Sequence, residues 1–198
     1  PLRRYPITQP PQKGITAMEI ERKFTVLNLP ENLSSYTCLH MEQAYLCTDP
    51  VVRIRKENEN YYLTYKGKGL LAREEANLPL HAEGYAHLLT KADGLIIQKD
   101  RYLIPIEKPA FDMDSLADLG ISKIPDNLQL KIELDVFTSP SGLIMAEVEF
   151  PSIELANAYR MPDWFLEDVT ANRAYHNSNI SKGGPVFDPV PSFLEDGN

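Results

Sequence analysis

Glu19-Ile20-Glu21-Arg22-Lys23-Phe24 is the stretch from which the fold can be read. Extended, it places Glu19, Glu21 and Lys23 on one face and Ile20, Arg22 and Phe24 on the other, because side chains alternate along a strand. Two carboxylates and an ammonium on one face can hold a divalent cation and a phosphate together. A solvated strand face would look the same. The choice between the two depends on the rest of the chain.

The ionic alternation returns along the later strand candidates. Arg53, Arg55 and Glu57 oppose Val52, Ile54 and Lys56, and Thr64 and Lys66 oppose Leu63 and Tyr65. Arg73, Glu75 and Asn77 are in phase, as are Lys99 and Arg101. Lys131, Glu133 and Asp135 oppose Ile132, Leu134 and Val136, and Glu147 and Glu149 oppose Ala146, Val148 and Phe150. Turn chemistry separates these runs at Asp49-Pro50, Asn58-Glu59-Asn60 and Ser139-Pro140-Ser141-Gly142. About eight mostly antiparallel strands predict an α+β, mainly β chain, a barrel or strongly curved sheet with peripheral helices. Asn28 to Tyr36 reads as a loop with a short helical turn. Helices are expected within Pro79–Asp93, stopped by Gly94, around Ser115–Leu119, over Ile153–Tyr159 and over Asp163–Asp168.

A solvent face is usually a mixture of polar residues. Here like charges come in doublets two apart, and apolar residues lie opposite them for helices to cover. A closed sheet of about eight strands has an interior that side chains fill or that holds a small ligand. Charged faces turned into it must be paired or liganded, because unpaired buried charge is costly. A polyphosphate with a divalent cation supplies both signs.

With 198 residues the chain suits one domain, and its net charge of −8 argues against wide contact with nucleic acid or an anionic membrane. Cys38 and Cys47 make no disulfide framework and read as free thiols of a cytoplasmic protein. No apolar run approaches a membrane span, and no secretory signal opens the chain. The proline-rich residues 1–17 read as a flexible or appended leader. Residues 18–181 read as the domain and residues 182–198 as a loosely ordered tail.

The ordered set resembles the CYTH superfamily, the triphosphate tunnel metalloenzymes, whose ExExK signature Glu19-Ile20-Glu21-Arg22-Lys23 matches. Arg53-Ile54-Arg55, Lys66, Lys99-Asp100-Arg101, Glu133-Leu134-Asp135 and Glu147-Val148-Glu149 follow in the family's order, from Met18 to about Ser181. One departure is Glu75-Ala76-Asn77, where a second acidic pair is common; Asn77 can accept a hydrogen bond but carries no charge.

The resemblance implies a closed eight-stranded antiparallel tunnel, dependence on Mg²⁺ or Mn²⁺, and chemistry at a triphosphate. It also implies a C-terminal helix near one mouth, with Trp164–Asp168 as the candidate. On this reading Lys23, Arg53, Arg55, Lys66, Lys99 and Arg101 hold phosphate oxygens, and Glu19, Glu21, Glu147 and Glu149 ligate one cation. Lys23 stands beside both. Glu75, Glu133 and Asp135 orient the attacking water, hold a second cation, or pair with neighbouring Lys and Arg. Arg73 and Lys131 are wall ion pairs or ligand contacts. The implied activity is hydrolysis of inorganic tripolyphosphate to pyrophosphate and phosphate by a monomer or homodimer. The alternatives are a class IV-type adenylyl cyclase, a thiamine or nucleoside triphosphatase, and a polyphosphate-binding module without turnover.

Weaker signals point to structure. Lys66-Gly67-Lys68-Gly69 lacks Walker spacing and reads as a turn. His81 and His87 do not share a helix face, and Tyr61, Tyr62 and Tyr65 read as barrel aromatics. The parity of Tyr45 is not set by its strand.

Overall fold

The computed structural model describes residues 17–67 and 72–183. All but the last residue of the leader expected over 1–17, most of the tail expected over 182–198, Lys68, Gly69 and the side chain of Arg73 lie outside the described residues. In chain order the elements are β1 (Ala17–Val26), β2 (Thr37–Thr48), β3 (Val51–Glu57), β4 (Asn60–Lys66) and β5 (Ala72–Leu80). Then come α1 (Ala82–Leu89), β6 (Asp93–Ile106), β7 (Ala110–Phe111), α2 (Met113–Asp118), β8 (Leu130–Ser139) and β9 (Ser141–Glu149). The chain continues through α3 (Ile153–Ala158), β10 (Tyr159–Arg160), β11 (Phe165–Asp168) and α4 (Asn177–Ile180).

Nine strands form one antiparallel sheet in the order β11-β1-β5-β4-β3-β2-β6-β8-β9, and β1 also pairs with β9. β1 is shared by residue: Ala17–Ile20 pair with β5, Glu21–Thr25 with β9, and Phe24–Val26 with β11. The ionic alternation sets which face is which. Ile20 and Phe24 from β1, Ile132 and Leu134 from β8, and Ala146 and Val148 from β9 are buried beneath Leu116, Leu155, Ala156, Ala158, Tyr159 and Phe165. A smaller cluster packs Ala44 and Ile54 under Tyr85 of α1. Each full burial of a large apolar side chain is worth about 1.5–3 kcal/mol, so the helices hold the apolar face outward and leave the ionic face to the interior. Arg22 serves the outer face: it donates to Asp168 and to the carbonyls of Ala156 and Tyr159, the last two at 2.8 Å.

Three short helices start where a side chain accepts a backbone N–H. His81 accepts from Gly84, Asp112 from Ser115 and Ser152 from Leu155. Two expectations from local pattern need correction. Asp163–Asp168 is not a helix: Phe165–Asp168 is β11, because β1 offers it a free edge at Phe24–Val26. Gly94 does not stop α1, which ends at Leu89; it lies in β6 with φ +73°. A Cβ there would stand 2.2 Å from the Ser181 carbonyl oxygen, which accepts from the Leu95 N–H at 2.6 Å. The glycine therefore lets the end of α4 dock on β6.

Candidate phosphate and cation site

The inward faces of the sheet enclose a cavity of about 350 Å³. Its lining carries the acids Glu19, Glu21, Glu57, Glu75, Glu133, Glu147 and Glu149, and the bases Lys23, Arg53, Arg55, Lys66, Arg101 and Lys131. These come from seven strands, so the strand period that was legible locally becomes one ionic surface only through pairing. Past the charged zone the interior turns apolar. Tyr45, Ile97, Phe137, Leu143 and Met145 pack against Val169, just past β11, and Ile180 of α4.

Most of the bases are already held by acids. The Lys23 ammonium donates to Glu147 and lies 3.0 Å from Glu21. Burial alone would lower its pKa, but Glu147 and Glu21 outweigh that and keep it well above its ordinary value. Lys66 bridges Glu19 and Glu75, each at 2.6 Å. This pair of carboxylates is split: burial, helped by Glu21 and Glu75, raises Glu19 to about 7, whereas Lys66 holds Glu75 well below the usual range against its own burial. Arg101 grips Asp135 through two nitrogens at 2.6 and 2.7 Å, reaches Glu147 at 2.6 Å and also donates to Glu133. Lys131 pairs with Glu133.

Arg53 and Arg55 differ. Among the described residues neither has a carboxylate within ion-pair distance. Arg55 donates to the Gln43 side-chain oxygen at 3.1 and 3.3 Å, and Arg53 donates to Thr64 at 3.2 Å. The Arg53 Nε is buried with no acceptor among the described residues. Burial, with Arg53 and Arg101 close by, pushes Arg55 down to about 10. Two adjacent guanidiniums in this state have the charge and the free donors that could take up an anion. Asn77 takes no part as a charge: it accepts from Thr64 at 2.6 Å and donates to Glu75 at 2.7 Å, orienting that carboxylate.

Glu19, Glu21, Glu147 and Glu149 all reach the cavity from β1 and β9, where Glu21 stands directly opposite Glu149. Like charges facing across a strand pair repel. Burial, then Glu133, Glu21 and Glu75, raises the Glu149 carboxyl above its usual range. Hard carboxylate oxygens gathered at such a negative spot fit a divalent cation of the Mg²⁺ type.

Lys99 and Asp135 are placed differently from the expected ligand-contacting positions. Neither lines the cavity. Lys99 is buried, donates to Asp135 and lies 5.1 Å over the Phe137 ring. Burial and the Arg101 charge lower it to about 8 despite Asp135. Burial alone would raise Asp135, but Arg101 and Lys99 hold it low, and it anchors both bases on the same face of the sheet as Glu133.

The helix expected near the mouth at Trp164–Asp168 is instead α4, since that earlier segment is drawn into the sheet as β11. His176, Asn177 and Ser178 at the start of α4 line the cavity. Nothing in the local sequence marks them, because their place depends on the chain returning across the end of the sheet. Glu57 and Tyr45 also line it. Glu57 was legible as the third member of the Arg53/Arg55 face, whereas Tyr45 sits beside an irregularity in the register of β2 that hides its parity.

A model of the CYTH domain matches residues 17–182. The chain is 32% identical over 171 residues to an inorganic triphosphatase of Nitrosomonas europaea, covering 84% of this chain and 99% of that protein. An inorganic triphosphatase of Acetivibrio thermocellus is 28% identical over 181 residues, covering 89% and 98%. A crystal structure of an inorganic triphosphatase superposes with a TM-score of 0.54 at 27% identity, covering 88% of this chain and 100% of that one. With the family model spanning most of its length and the ionic motifs converging on one cavity, this chain belongs to the CYTH domain family.

Proposed function

We propose that the protein is a metal-dependent triphosphatase whose substrate is inorganic tripolyphosphate, cleaved to pyrophosphate and phosphate. The observation that carries this is the pair Arg53 and Arg55, facing the cavity without a carboxylate partner among the described residues. The naming of two relatives as inorganic triphosphatases supports the same reading. We read the wall as a closed eight-stranded tunnel. Supporting this, β1 pairs with β5 over Ala17–Ile20 and with β9, the far strand of the order, over Glu21–Thr25.

Arg53 and Arg55 would take phosphate oxygens, bidentately where geometry allows. Lys23, Lys66 and Arg101 would each exchange part of a carboxylate contact for a phosphate oxygen. Glu19, Glu21, Glu147 and Glu149 would hold Mg²⁺ or Mn²⁺. When bound, such a cation neutralises phosphate charge and acidifies water in its shell. Water attacks the terminal phosphorus, the bond to the bridging oxygen breaks with its electrons on departing pyrophosphate, and the water proton passes to Glu75 or Glu133. Asp135 acts at one remove, as a positioning residue for Arg101. Phosphoryl transfer asks the protein chiefly for such positioning and charge stabilisation.

The test is a panel of tripolyphosphate, pyrophosphate, ATP and thiamine triphosphate with Mg²⁺ and with Mn²⁺. Phosphate release should be fastest from tripolyphosphate. Cyclic AMP from ATP would assign a cyclase instead, and tight tripolyphosphate binding without release would assign a binding module. Glu149→Gln should lower turnover at saturating metal by about two orders of magnitude, as metal-site changes commonly do; parental turnover would remove Glu149 from the cation site.

A further inference from the structure

The outer face of the same wall carries a second group of ligand atoms. Cys38 and His40 are two apart on β2, and their cross-strand partners on β6 are Tyr102 and Asp100. The alternate residues Leu39, Arg101 and Leu103 line the cavity, so the thickness of the sheet separates the group from it. The Cys38 sulfur, a His40 ring nitrogen and an Asp100 carboxylate oxygen all lie within 4.8 Å of one another. The His40 Nδ1 is 2.6 Å from Asp100 Oδ1. Bonds to zinc of about 2.0–2.3 Å would put donors around one ion about 3–4 Å apart, within reach by side-chain rotation.

The frame around these atoms is held. The His40 N–H donates to Asn58 Oδ1 at 3.0 Å, and its carbonyl accepts from the Asn58 N–H at 2.9 Å. These bonds fix the backbone of β2 at His40. Tyr102 stands directly across from Cys38 on β6.

We propose that Cys38, His40 and Asp100 form a zinc-type site on the outer face of β2 and β6, with water completing a tetrahedron. The ion is held by thiolate sulfur, imidazole nitrogen and carboxylate oxygen, and the thiol proton is released to solvent on binding. Sulfur and nitrogen donors select zinc over Mg²⁺ or Mn²⁺. An occupied site ties β2 to β6, whose inward faces carry Gln43, Lys99 and Arg101. The site does not depend on the activity proposed for the cavity.

The test uses the full chain, stripped of metal and kept reduced by a phosphine, with Co²⁺ as the spectroscopic probe for Zn²⁺. A thiolate-to-cobalt charge-transfer band should appear, saturate at one Co²⁺ per chain and vanish on addition of equimolar Zn²⁺. It should persist in Cys47→Ser and be lost in Cys38→Ser. His40→Ala and Asp100→Asn should each weaken Co²⁺ at least about tenfold. The His40 side chain is 76% exposed, so His40→Ala decides the matter should Cys38→Ser unfold. No band at saturating Co²⁺, a band that survives Cys38→Ser, or parental Co²⁺ affinity in His40→Ala would overturn the proposal.

Discussion

Arg53→Met should make the ligand-free protein more stable while crippling it. The Arg53 side chain is buried, and among the described residues its Nε has no acceptor and its one hydrogen bond is to Thr64 at 3.2 Å. An unsatisfied buried donor costs about 1–3 kcal/mol, and an ordinary hydrogen bond returns about 1 kcal/mol. Thr64 keeps its bond to Asn77, so removing the guanidinium strands no new group. The variant also relieves Arg55 of a neighbouring like charge. The expected net gain is about 1 kcal/mol, which for a chain of this size raises Tm by about 2–4 °C. A charged hydrogen bond to phosphate is worth about 1.5–3 kcal/mol, so kcat/KM for tripolyphosphate should fall about 10- to 150-fold. Thermal and urea unfolding without ligand, beside initial rates at saturating metal, measure both. Added tripolyphosphate should raise the parent's Tm more than the variant's. A variant that is less stable by 1 kcal/mol or more, yet kinetically parental, would show that Arg53 is a wall cation and refute the reasoning.

Three further outcomes follow from the same geometry. Glu19 is raised to about 7 in the folded protein from an ordinary value of 4.5, so its protonated form favours folding. Its contribution is full below pH 4.5 and is lost as pH rises through 7. The metal-free parent should lose about 2–3 kcal/mol of urea stability across that window relative to Glu19→Gln, and equal pH profiles would sink this assignment. Asp135→Asn leaves Lys99 and Arg101 short of their shared counter-ion and should cost about 3–5 kcal/mol, read by denaturant unfolding; a loss below 1 kcal/mol would contradict an anchoring role. Gly94→Ala combines φ +73° with a Cβ only 2.2 Å from the Ser181 oxygen. It should cost at least about 1–3 kcal/mol and raise KM by loosening α4, while an unchanged KM would show that the His176–Ser178 lining is dispensable.

The wall was legible because an alternating strand states its two faces in its own sequence. β1, β3, β8 and β9 each display ions two apart, mostly with apolar residues between, and so the faces that line the cavity could be read locally, although Lys99 and Asp135 on the same faces do not line it. Short pieces were harder. Phe165–Asp168 has no pattern of its own and becomes a strand because β1 has an unfilled edge beside it. Gly94 reads locally as a helix stop, and only the incoming Ser181 carbonyl explains it.

By itself the sequence determined which side chains share a face and that so many like-charged doublets demand a compensating partner. Those are properties of neighbours along the chain. Tertiary structure alone decided which charges are already spent on each other. Asp135 is shared between Lys99 and Arg101, Lys66 is shared between Glu19 and Glu75, and among the described residues Arg53 and Arg55 are left facing the cavity with hydroxyl and amide partners only. Pairing of charges falls off with distance in space, and distances across a sheet are set by register and closure, which no local stretch of sequence encodes.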